Sequence, residues 1–533
     1  MEKSIFRKVL FTLLLLGVVF FVYTQFFSKQ HEDRNVLAPD PDPIVQVAGI
    51  PERTCDIRKY GAIAGGTEKV TGAINAAVDD CFAQGGGVVL IPKGTWLTGG
   101  IKLKSRINLF LAEGSEIVFS TDVKDYLPVV LTRFQGIEFY NFSPLIYTEN
   151  SQNIAITGKG KLIGNGERRT DWDGGGEFGF AREKLHMMAQ KGTPTAERIF
   201  GETIPGLRPS FVQFMNCQDI LLDGFTIENG PIWTIHPVYS ENFTVRNLNI
   251  NTWSGNTDGI VVDSTKNVVI EDTFFSTGDD AIAIKSGLDE DGWRVNRPSE
   301  NIRIENITVK KGNSGVSIGS EMSGGVKNVD IRNSVFDGTR HGFRIKSTKT
   351  RGGYIEDVHV DNITMENVAS DVLTIDFQYD SALQSMVAKD KEPVLKNIFI
   401  TNIHGSGVGN GSPDAVINID GLSDSNMENV HFENISFTSL ASAVHIKSAR
   451  NVFLKNINIE HKLDATYEIE RSQNIVVEDS SCQEGVDPCF LIIGKSTKSI
   501  QLKDIDYSGA LSELKTEGKI APEAILREKN RTE

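Results

Sequence analysis

One pattern, an Asn followed by alternating apolar and polar residues, returns four times in the middle of the chain: NFTVRNLNI (242–250), NVVIEDTFF (267–275), NIRIENITV (301–309) and NVDIRNSVF (328–336). It returns again at Asn153, Asn397, Asn429, Asn451 and Asn474, with a period of roughly 22 to 34 residues. Such short strands cannot bury a core alone, so successive units must stack. A propeller blade needs about four strands in 40 or more residues, which these units are too short to supply. The sequence therefore predicts an all-β fold, a right-handed single-stranded parallel β-helix, in which the recurrent Asn side chains stack and hydrogen-bond to one another.

The flanking segments differ from the repeat. Residues 1–27 carry basic residues before an apolar run, which indicates either a signal peptide or a retained membrane anchor and hence an exported protein that is periplasmic, extracellular or anchored facing outward. Residues 28–50 are polar and Pro-containing, as in a linker. We expect the β-helix over 51–510, with a short amino-terminal helical cap at Thr71–Phe82. The charged tail, 511–533, is expected to be partly helical or frayed.

Charge and cysteine content narrow the class of partner. The chain has 533 residues and a formal net charge of −15, which argues against a nucleic-acid partner because phosphate binding needs a basic face. Export allows disulfides among the five cysteines. The short spacing favours Cys482 with Cys489, and Cys55 with Cys81 is possible. Cys217 lies in a strand-like segment and is expected to be a buried free thiol.

Four polar stretches interrupt successive strand repeats: NTDG (256–259), GDDAIAIK (278–285), GNSG (312–315) and RIK (344–346). In a parallel β-helix, adjacent turns lie about 4.8 Å apart, so these stretches become neighbours. Alternation along a strand lets Arg344 and Lys346 share one face, and likewise Asn256 and Asp258. Asp279 and Asp280 are adjacent in sequence, so both can face one cleft only at a bend.

Asp258, Asp279 and Asp280 are the candidate catalytic residues. Three carboxylates in one place cannot all stay ionised cheaply, so at least one pKa should rise and provide a general acid. Another would remain a carboxylate and deprotonate water. This division of roles is that of glycoside hydrolysis by two carboxylates.

The order of these motifs resembles the polygalacturonase family of glycoside hydrolases (family 28), whose pattern is Asn-Thr-Asp, Gly-Asp-Asp, Gly-His-Gly and Arg-Ile-Lys. The resemblance implies a pectin-lyase-like β-helix that cleaves α-1,4-linked galacturonic acid in pectic polysaccharides or oligogalacturonides with inversion. It implies Asp279 as general acid, Asp258 and Asp280 as the pair that activates water, and Arg344 and Lys346 as cations for the substrate carboxylate. No metal or other cofactor is implied, and a monomer is favoured.

The chain departs from the family pattern at Asn313, where the family has His. Asn hydrogen-bonds but does not titrate, so any tuning of the acid by the His is absent. We expect an active hydrolase because all three aspartates remain, yet a rhamnogalacturonan or another acidic glycan as substrate, or an inactive β-helix that binds acidic polysaccharide, are alternatives. A calcium-dependent pectate lyase activity is a further alternative on the same fold.

Other segments resemble bacterial exo-acting members, in which loops close one end of the groove. They contain Arg133, Trp233 and His236, and we list Arg133 and His236 as candidate substrate-binding residues, with Asn256, Lys285 and Asn313. The alternatives are structural: a surface salt bridge for Arg133, a hydrogen-bonded structural role for His236, and core packing for Trp233. Inserts at 168–209 and 377–393 are expected to lie beside the groove.

Overall fold

The fold is described from a computed structural model for residues 49–167, 172, 177–379, 391–407, 415–422, 426–439, 442–461 and 465–528. All of them belong to one structural unit. The expected leader and most of the linker lie outside these residues.

The strands form three parallel strips, which we number 1 to 3, and each strand pairs with the corresponding strand of the next turn. Strands are numbered in chain order. Strip 1 consists of β1 (Thr54–Asp56), β2 (Gly87–Ile91), β5 (Ile107–Leu111), β10 (Gln152–Gly158), β13 (Gln218–Asp223), β16 (Glu241–Arg246), β19 (Lys266–Glu271), β22 (Ser299–Glu305), β24 (Val326–Asp337), β26 (Tyr354–Val368), β28 (Val394–Gly407), β30 (Asn426–Ser439), β32 (Arg450–Glu460), β34 (Gln473–Glu478), β36 (Lys498–Lys503) and β38 (Ile525–Glu528).

Strip 2 runs beside strip 1 and merges with it in the long strands β24, β26, β28, β30 and β32. It consists of β3 (Gly94–Thr98), β6 (Ser115–Phe119), β11 (Lys161–Ile163), β14 (Thr226–Glu228), β17 (Asn249–Asn251), β20 (Phe274–Ser276) and the first part of β23 (Thr308–Ile318).

Strip 3 carries the candidate site. It consists of β4 (Ile101–Lys102), β9 (Ile146–Glu149), β12 (Val212–Met215), β15 (Ile235–Val238), β18 (Ile260–Asp263), β21 (Ile282–Lys285), the second part of β23, β25 (Thr339–Lys346), β27 (Leu373–Asp376), β29 (Ala415–Asp420), β31 (Ser442–Lys447), β33 (Tyr467–Glu470), β35 (Phe490–Ile493) and β37 (Leu514–Glu517).

The remaining elements decorate the β-helix. An antiparallel hairpin joins β7 (Val130–Phe134) to β8 (Ile137–Asn141). The described residues contain three α-helices, α1 (Thr71–Ala83), α2 (Phe178–Gln190) and α3 (Asp289–Val295). Short 3-10 turns lie at Ile57–Tyr60, Val123–Tyr126, Thr195–Glu197 and Pro522–Ala524.

The core lies inside the three strips because alternate apolar residues point inward. Val268 and Ile270 of β19 pair with Ile302 and Ile304 of β22, and all four are fully buried. Repeating this alternation on every turn gives one continuous core along the helix axis. The predicted parallel β-helix is confirmed.

The predicted Asn ladder is also confirmed. The Nδ2 of Asn267 donates to Oδ1 of Asn242 at 3.0 Å, Asn301 donates to Asn267 at 3.0 Å, and Asn328 donates to Asn301 at 2.9 Å. These residues have φ between 54° and 58°, a left-handed conformation that Asn tolerates better than most residues. Asn therefore has two roles: its backbone forms the bend between strands, and its side chain links one turn of the β-helix to the next.

Both expected disulfides are present, Cys55–Cys81 and Cys482–Cys489, and Cys217 is a buried free thiol, as predicted. Helix α1 forms the expected cap.

The prediction of a partly helical or frayed carboxy-terminal tail was wrong for the residues that form strands β37 and β38. Strands β37 and β38 extend strips 3 and 1 by one more turn, so the β-helix continues to Glu528. The tail residues are exposed and charged, which hid the strand alternation, but they still complete the backbone pairing of the last turn.

Candidate active site

Parallel pairing along strip 3 brings the four polar stretches together. Strand β18 pairs with β21, β21 with β23, and β23 with β25. Asp258 lies just before β18 and Asp279 and Asp280 just before β21, while Arg344 lies in β25. The predicted stacking of these residues on successive turns is therefore present.

The two adjacent aspartates lie at a bend, as predicted. Residue 278 must be Gly because there is no room for a side chain at this position. A Cβ on Gly278 would lie 2.0 Å from the backbone oxygen of Ser254 and 2.6 Å from Oγ1 of Thr257. The close approach of these two segments excludes any side chain at position 278. It also brings the turn before β18 against the aspartates.

Asn256 and Asp258 do not share a strand face, which corrects the prediction from alternation. They lie in the turn before β18, where Asn256 has φ 61° and is exposed, whereas Asp258 is buried. The backbone N–H of Asn256 donates to Oδ2 of Asp279 at 3.2 Å. The turn thus contacts Asp279 through the backbone of Asn256 and leaves its side chain open to the groove.

Asp280 is held as a carboxylate. Its Oδ2 accepts from Nζ of Lys346 at 2.7 Å and from Oγ of Ser317 at 2.6 Å, and its Oδ1 accepts from Nδ2 of Asn313 at 3.2 Å. Burial alone would raise the pKa of this carboxyl, but the Lys346 charge and the hydrogen bonds outweigh burial and lower the pKa. Asn313 therefore acts on Asp280, the residue expected to serve as base.

Asp279 and Asp258 are shifted in the opposite direction. Burial and the Asp280 charge raise the pKa of Asp279, and burial with the charges of Asp279 and Asp280 raises the pKa of Asp258. Neighbouring aspartates are thus split into one that stays ionised and two that favour the protonated form.

Arg344 and Lys346 lie on one face of β25, with Ile345 buried behind them. The Arg344 guanidinium lies 5.1 Å and the Lys346 ammonium 5.5 Å from the centroid of the Tyr379 ring. Lys346 is engaged by Asp280, whereas Arg344 lines the open cavity and forms a long ion pair with Asp376 at 3.3 Å. Arg344 is the more accessible of the two cations.

Lys285 is buried on the other side of the aspartates. Its Nζ lies 2.5 Å from Oε2 of Glu321 and 5.1 Å from the centroid of the Trp233 ring. Burial would lower the pKa of Lys285, but Glu321 and Asp258 raise it, and the paired Glu321 has a pKa of about 2. Lys285 contributes a fixed positive charge near Asp258 rather than an exposed ligand contact.

Arg133 and His236 form a buried network, which corrects the prediction that they bind substrate. Nη1 of Arg133 donates to Oδ1 of Asp263 at 2.8 Å, and His236 lies 3.4 Å from the other oxygen of the same carboxylate. All three side chains are fully enclosed. Both residues have structural contacts, but the ion pair of Arg133 is buried and not on the surface as expected, because hairpin β7–β8 folds onto strip 3 and covers these groups.

Hairpin β7–β8 and helix α2 cover the outer face of strip 3 at one end of the site. Phe134 of the hairpin stacks on Trp233 with ring centroids 6.2 Å apart, and both pack with Leu185 of α2. The same apolar cluster buries Val261 of β18 and Ala283 of β21, which point away from the main core. The hairpin and α2 therefore bury this part of strip 3.

On the other side lies an open cavity of about 520 Å³, a size typical of small-ligand sites. Its walls include predicted and unpredicted residues, namely Gly278, Asp279, Asn313, Arg340, His341, Arg344, Ser370, Asp371 and Tyr379. Sequence reasoning missed Arg340 and His341, although they lie four and three residues before Arg344 and His341 pairs with Ser314 one turn earlier. Counting one turn from Ser314 would have identified them.

A parallel β-helix that brings three aspartates and nearby cations together is consistent with the class of glycoside hydrolases, whose usual catalytic groups are two carboxyl side chains. Residues 89–447 match the family model of glycosyl hydrolases family 28. The chain belongs to glycosyl hydrolases family 28.

Relatives agree with this assignment. The chain is 31% identical over 320 residues to a probable polygalacturonase from Vitis vinifera, an alignment that covers 58% of this chain and 60% of that relative. It is 25% identical over 436 residues to an exo-poly-alpha-D-galacturonosidase from Dickeya chrysanthemi, which covers 73% of this chain and 72% of the relative. The crystal structure of an exopolygalacturonase from Thermotoga maritima superposes with a TM-score of 0.67 at 35% identity and covers 80% of this chain and 92% of that one.

Among the described residues, none of the helices combines the length and apolar character that a membrane span needs.

Proposed function

We propose that this protein hydrolyses α-1,4-linked galacturonic acid in pectic polysaccharides or oligogalacturonides, with inversion and from chain ends. The observation that carries the proposal is the opposite shift of two adjacent carboxyls: the pKa of Asp279 is raised and that of Asp280 is lowered. Glycoside hydrolysis needs this pair of one acid and one base.

In the proposed reaction, Asp279 donates its proton to the glycosidic oxygen as the bond to C1 breaks. Asp280 accepts a proton from a water whose oxygen bonds to C1 on the opposite face. Asp258, buried and favouring its protonated form, orients that water by a hydrogen bond. No metal or cofactor takes part in these steps.

An acidic sugar fits the cations of the cavity. Arg344 lines it and presents a guanidinium, which binds carboxylates with two parallel donors, and Arg340 lines the same wall. Lys346 has a different role in this proposal: it holds Asp280 ionised. The relatives named as polygalacturonases support galacturonic acid as that sugar.

Attack at chain ends follows from the shape of the groove. The hairpin and α2 bury the outer face of β18 and β21 around Trp233, which supports a groove that is blocked at this end. One terminal unit would lie against this wall with the remaining units extending over the open cavity. The exo-acting name of the Dickeya chrysanthemi relative supports the same mode.

The test uses purified full-length protein with oligogalacturonides in the presence of a chelator, with Asp279→Asn as control. Release of saturated galacturonic acid monomer that the control lacks is the expected result. Longer products would indicate internal cleavage, and unsaturated products that the chelator suppresses would indicate a calcium-dependent lyase. An absence of turnover with retained binding would support a binding β-helix, and turnover only of a rhamnogalacturonan would reassign the substrate.

A further inference from the structure

His341 is an imidazole in the cavity that none of the sequence motifs includes. It lies in β25, pairs with Ser314 of β23, and is 4% exposed. It lines the same cavity as Asp279 and Asn313. Adjacent turns of a β-helix are about 4.8 Å apart, so this imidazole enters the cavity one turn beyond the position where Asn313 replaces a His.

The hydrogen bond of the ring fixes its tautomer. Nδ1 of His341 lies 3.2 Å from the backbone oxygen of Asp371. A carbonyl oxygen only accepts, so Nδ1 carries the hydrogen and Nε2 of the neutral ring is left as an acceptor. Burial, with the charges of Arg344 and Arg340, lowers the pKa of His341 to about 3, so the ring stays neutral when acidic sugars are ionised. Within the described part of the chain, Nδ1 makes the one hydrogen bond of this ring.

The surroundings of Nε2 narrow the ligand group that it can contact. Arg340 and Arg344 on the same wall are donors only, and they suit a carboxylate. A neutral imidazole acceptor beside them suits a hydroxyl group. A sugar acid presents a carboxylate and hydroxyls on one ring, so its two kinds of polar group match the two kinds of side chain on this wall.

We propose that His341 is a substrate-binding residue whose Nε2 accepts a hydrogen bond from a hydroxyl of the sugar bound beside Asp279. It supplies, from the following turn, the imidazole that position 313 lacks. The inference rests on the proposed action on galacturonides and adds a residue that selects for a free hydroxyl at this position of the sugar.

Two substitutions separate the two nitrogens of the ring. His341→Asn places an amide near the Nδ1 position, so it retains the hydrogen bond to Asp371 and removes the acceptor at Nε2. His341→Gln places an amide near the Nε2 position, so it retains an acceptor in the cavity and loses the bond to Asp371. A purely structural His would tolerate Asn better than Gln, and a substrate-binding His would do the opposite.

The measurements are the Kd of trigalacturonic acid by calorimetry, in an Asp279→Asn background whose slowed turnover leaves the ligand intact during the titration, and kcat and KM in the active protein. We expect His341→Asn to weaken binding and raise KM about tenfold, and His341→Gln to do so only about threefold, with kcat changed less than KM. Thermal unfolding of each variant identifies losses caused by misfolding, and His341→Asn keeps the structural bond so that it remains informative.

Equal effects of the two substitutions, or a larger effect of Gln than of Asn, would overturn the inference while leaving wild-type turnover of galacturonides intact. A wild-type protein that neither binds nor cleaves any galacturonide would instead overturn the proposed function, and this inference with it.

Discussion

Lys346 is the residue whose removal tests the electrostatic division between the aspartates most directly. Its Nζ lies 2.7 Å from Oδ2 of Asp280, and the two side chains are 6% and 2% exposed. At an effective dielectric constant of about 20, an opposite charge about 4 Å away stabilises a carboxylate by about 4 kcal/mol, which corresponds to about three pKa units. Lys346→Met keeps the volume of the side chain and removes this charge.

We expect the substitution to raise the pKa of Asp280 and so to protonate the proposed base. The acidic limb of the kcat/KM profile should move to higher pH by about two to three units, and below that limb the rate should fall about tenfold per unit. A pH series of initial rates on trigalacturonic acid measures the shift directly. Raising the pH should restore part of the activity, because it ionises Asp280 again.

Stability should respond to pH with a defined sign. Asp280 has a lowered pKa when folded, so in the wild type its contribution is present above the unfolded pKa of about 3.9 and is lost as the pH falls through the folded value. Without Lys346 a buried carboxylate loses its partner, which costs about 3 kcal/mol at neutral pH. The difference in free energy of unfolding between wild type and variant should therefore narrow below about pH 4.

Lys447→Met is the matched control. Lys447 lies one turn after its partner Asp420 on strip 3, at 3.2 Å, and these side chains are 43% and 30% exposed. Its loss should cost less than about 1 kcal/mol and leave the rate profile in place. An unmoved acidic limb in Lys346→Met, or equal effects in the two variants, would refute the assignment of Asp280 as a base held ionised by Lys346.

Three further predictions concern the pH dependence of the rate, the Cys55–Cys81 disulfide and the Asn ladder. The wild-type rate should show a bell-shaped dependence on pH: it falls on the acidic side as Asp280 gains a proton and on the alkaline side as Asp279, whose pKa is raised, loses its proton. Asp279→Asn should lower kcat by a factor of about 10² to 10⁴ and remove the alkaline limb. Replacing Cys55 and Cys81 by Ser opens a bridge of sequence separation 26, for which chain entropy gives about 3.5 kcal/mol, measured by denaturant unfolding. Asn301→Gly should lower the free energy of unfolding by about 1 to 2 kcal/mol, because only the ladder hydrogen bonds are lost. Asn301→Ala should lower it by about 1 kcal/mol more, because residue 301 has a left-handed φ of 58° that Ala adopts with strain. Equal losses in the two variants would contradict this strain.

The features that the sequence predicted correctly are those that depend on the spacing of residues that recur once per turn. Asn267 and Asn301 each mark one turn of the β-helix, so their spacing predicted the repeat, the Asn ladder and the stacking of the aspartates on successive turns. The tail strands β37 and β38 were missed because their side chains are exposed, and exposed strands need no apolar alternation. Backbone pairing with the preceding turn holds them, and pairing leaves no mark in composition.

Side-chain environment was the other limit. Arg133 and His236 are residue types that suit an acidic sugar. Only the structure, with the hairpin folded over strip 3, shows that the carboxylate of Asp263 contacts both side chains. His341 was missed for the converse reason: its place in the cavity depends on its register with Ser314, 27 residues earlier, rather than on any local motif. Residue type suggested chemistry, and burial decided which residues were available for it.

Asn313 shows how a substitution in a family motif can be compatible with catalysis. From sequence, any tuning of the acid by the missing His was expected to be absent, and the side-chain amide of Asn313 instead donates to the carboxylate of Asp280 at 3.2 Å. An amide donates at every pH, so it helps to hold the base ionised without a titration of its own. A protonated imidazole would give a stronger contact but would lose that charge as the pH rises. The replacement therefore makes the state of Asp280 less dependent on pH, and leaves the acid to be controlled by burial and by Asp280 itself.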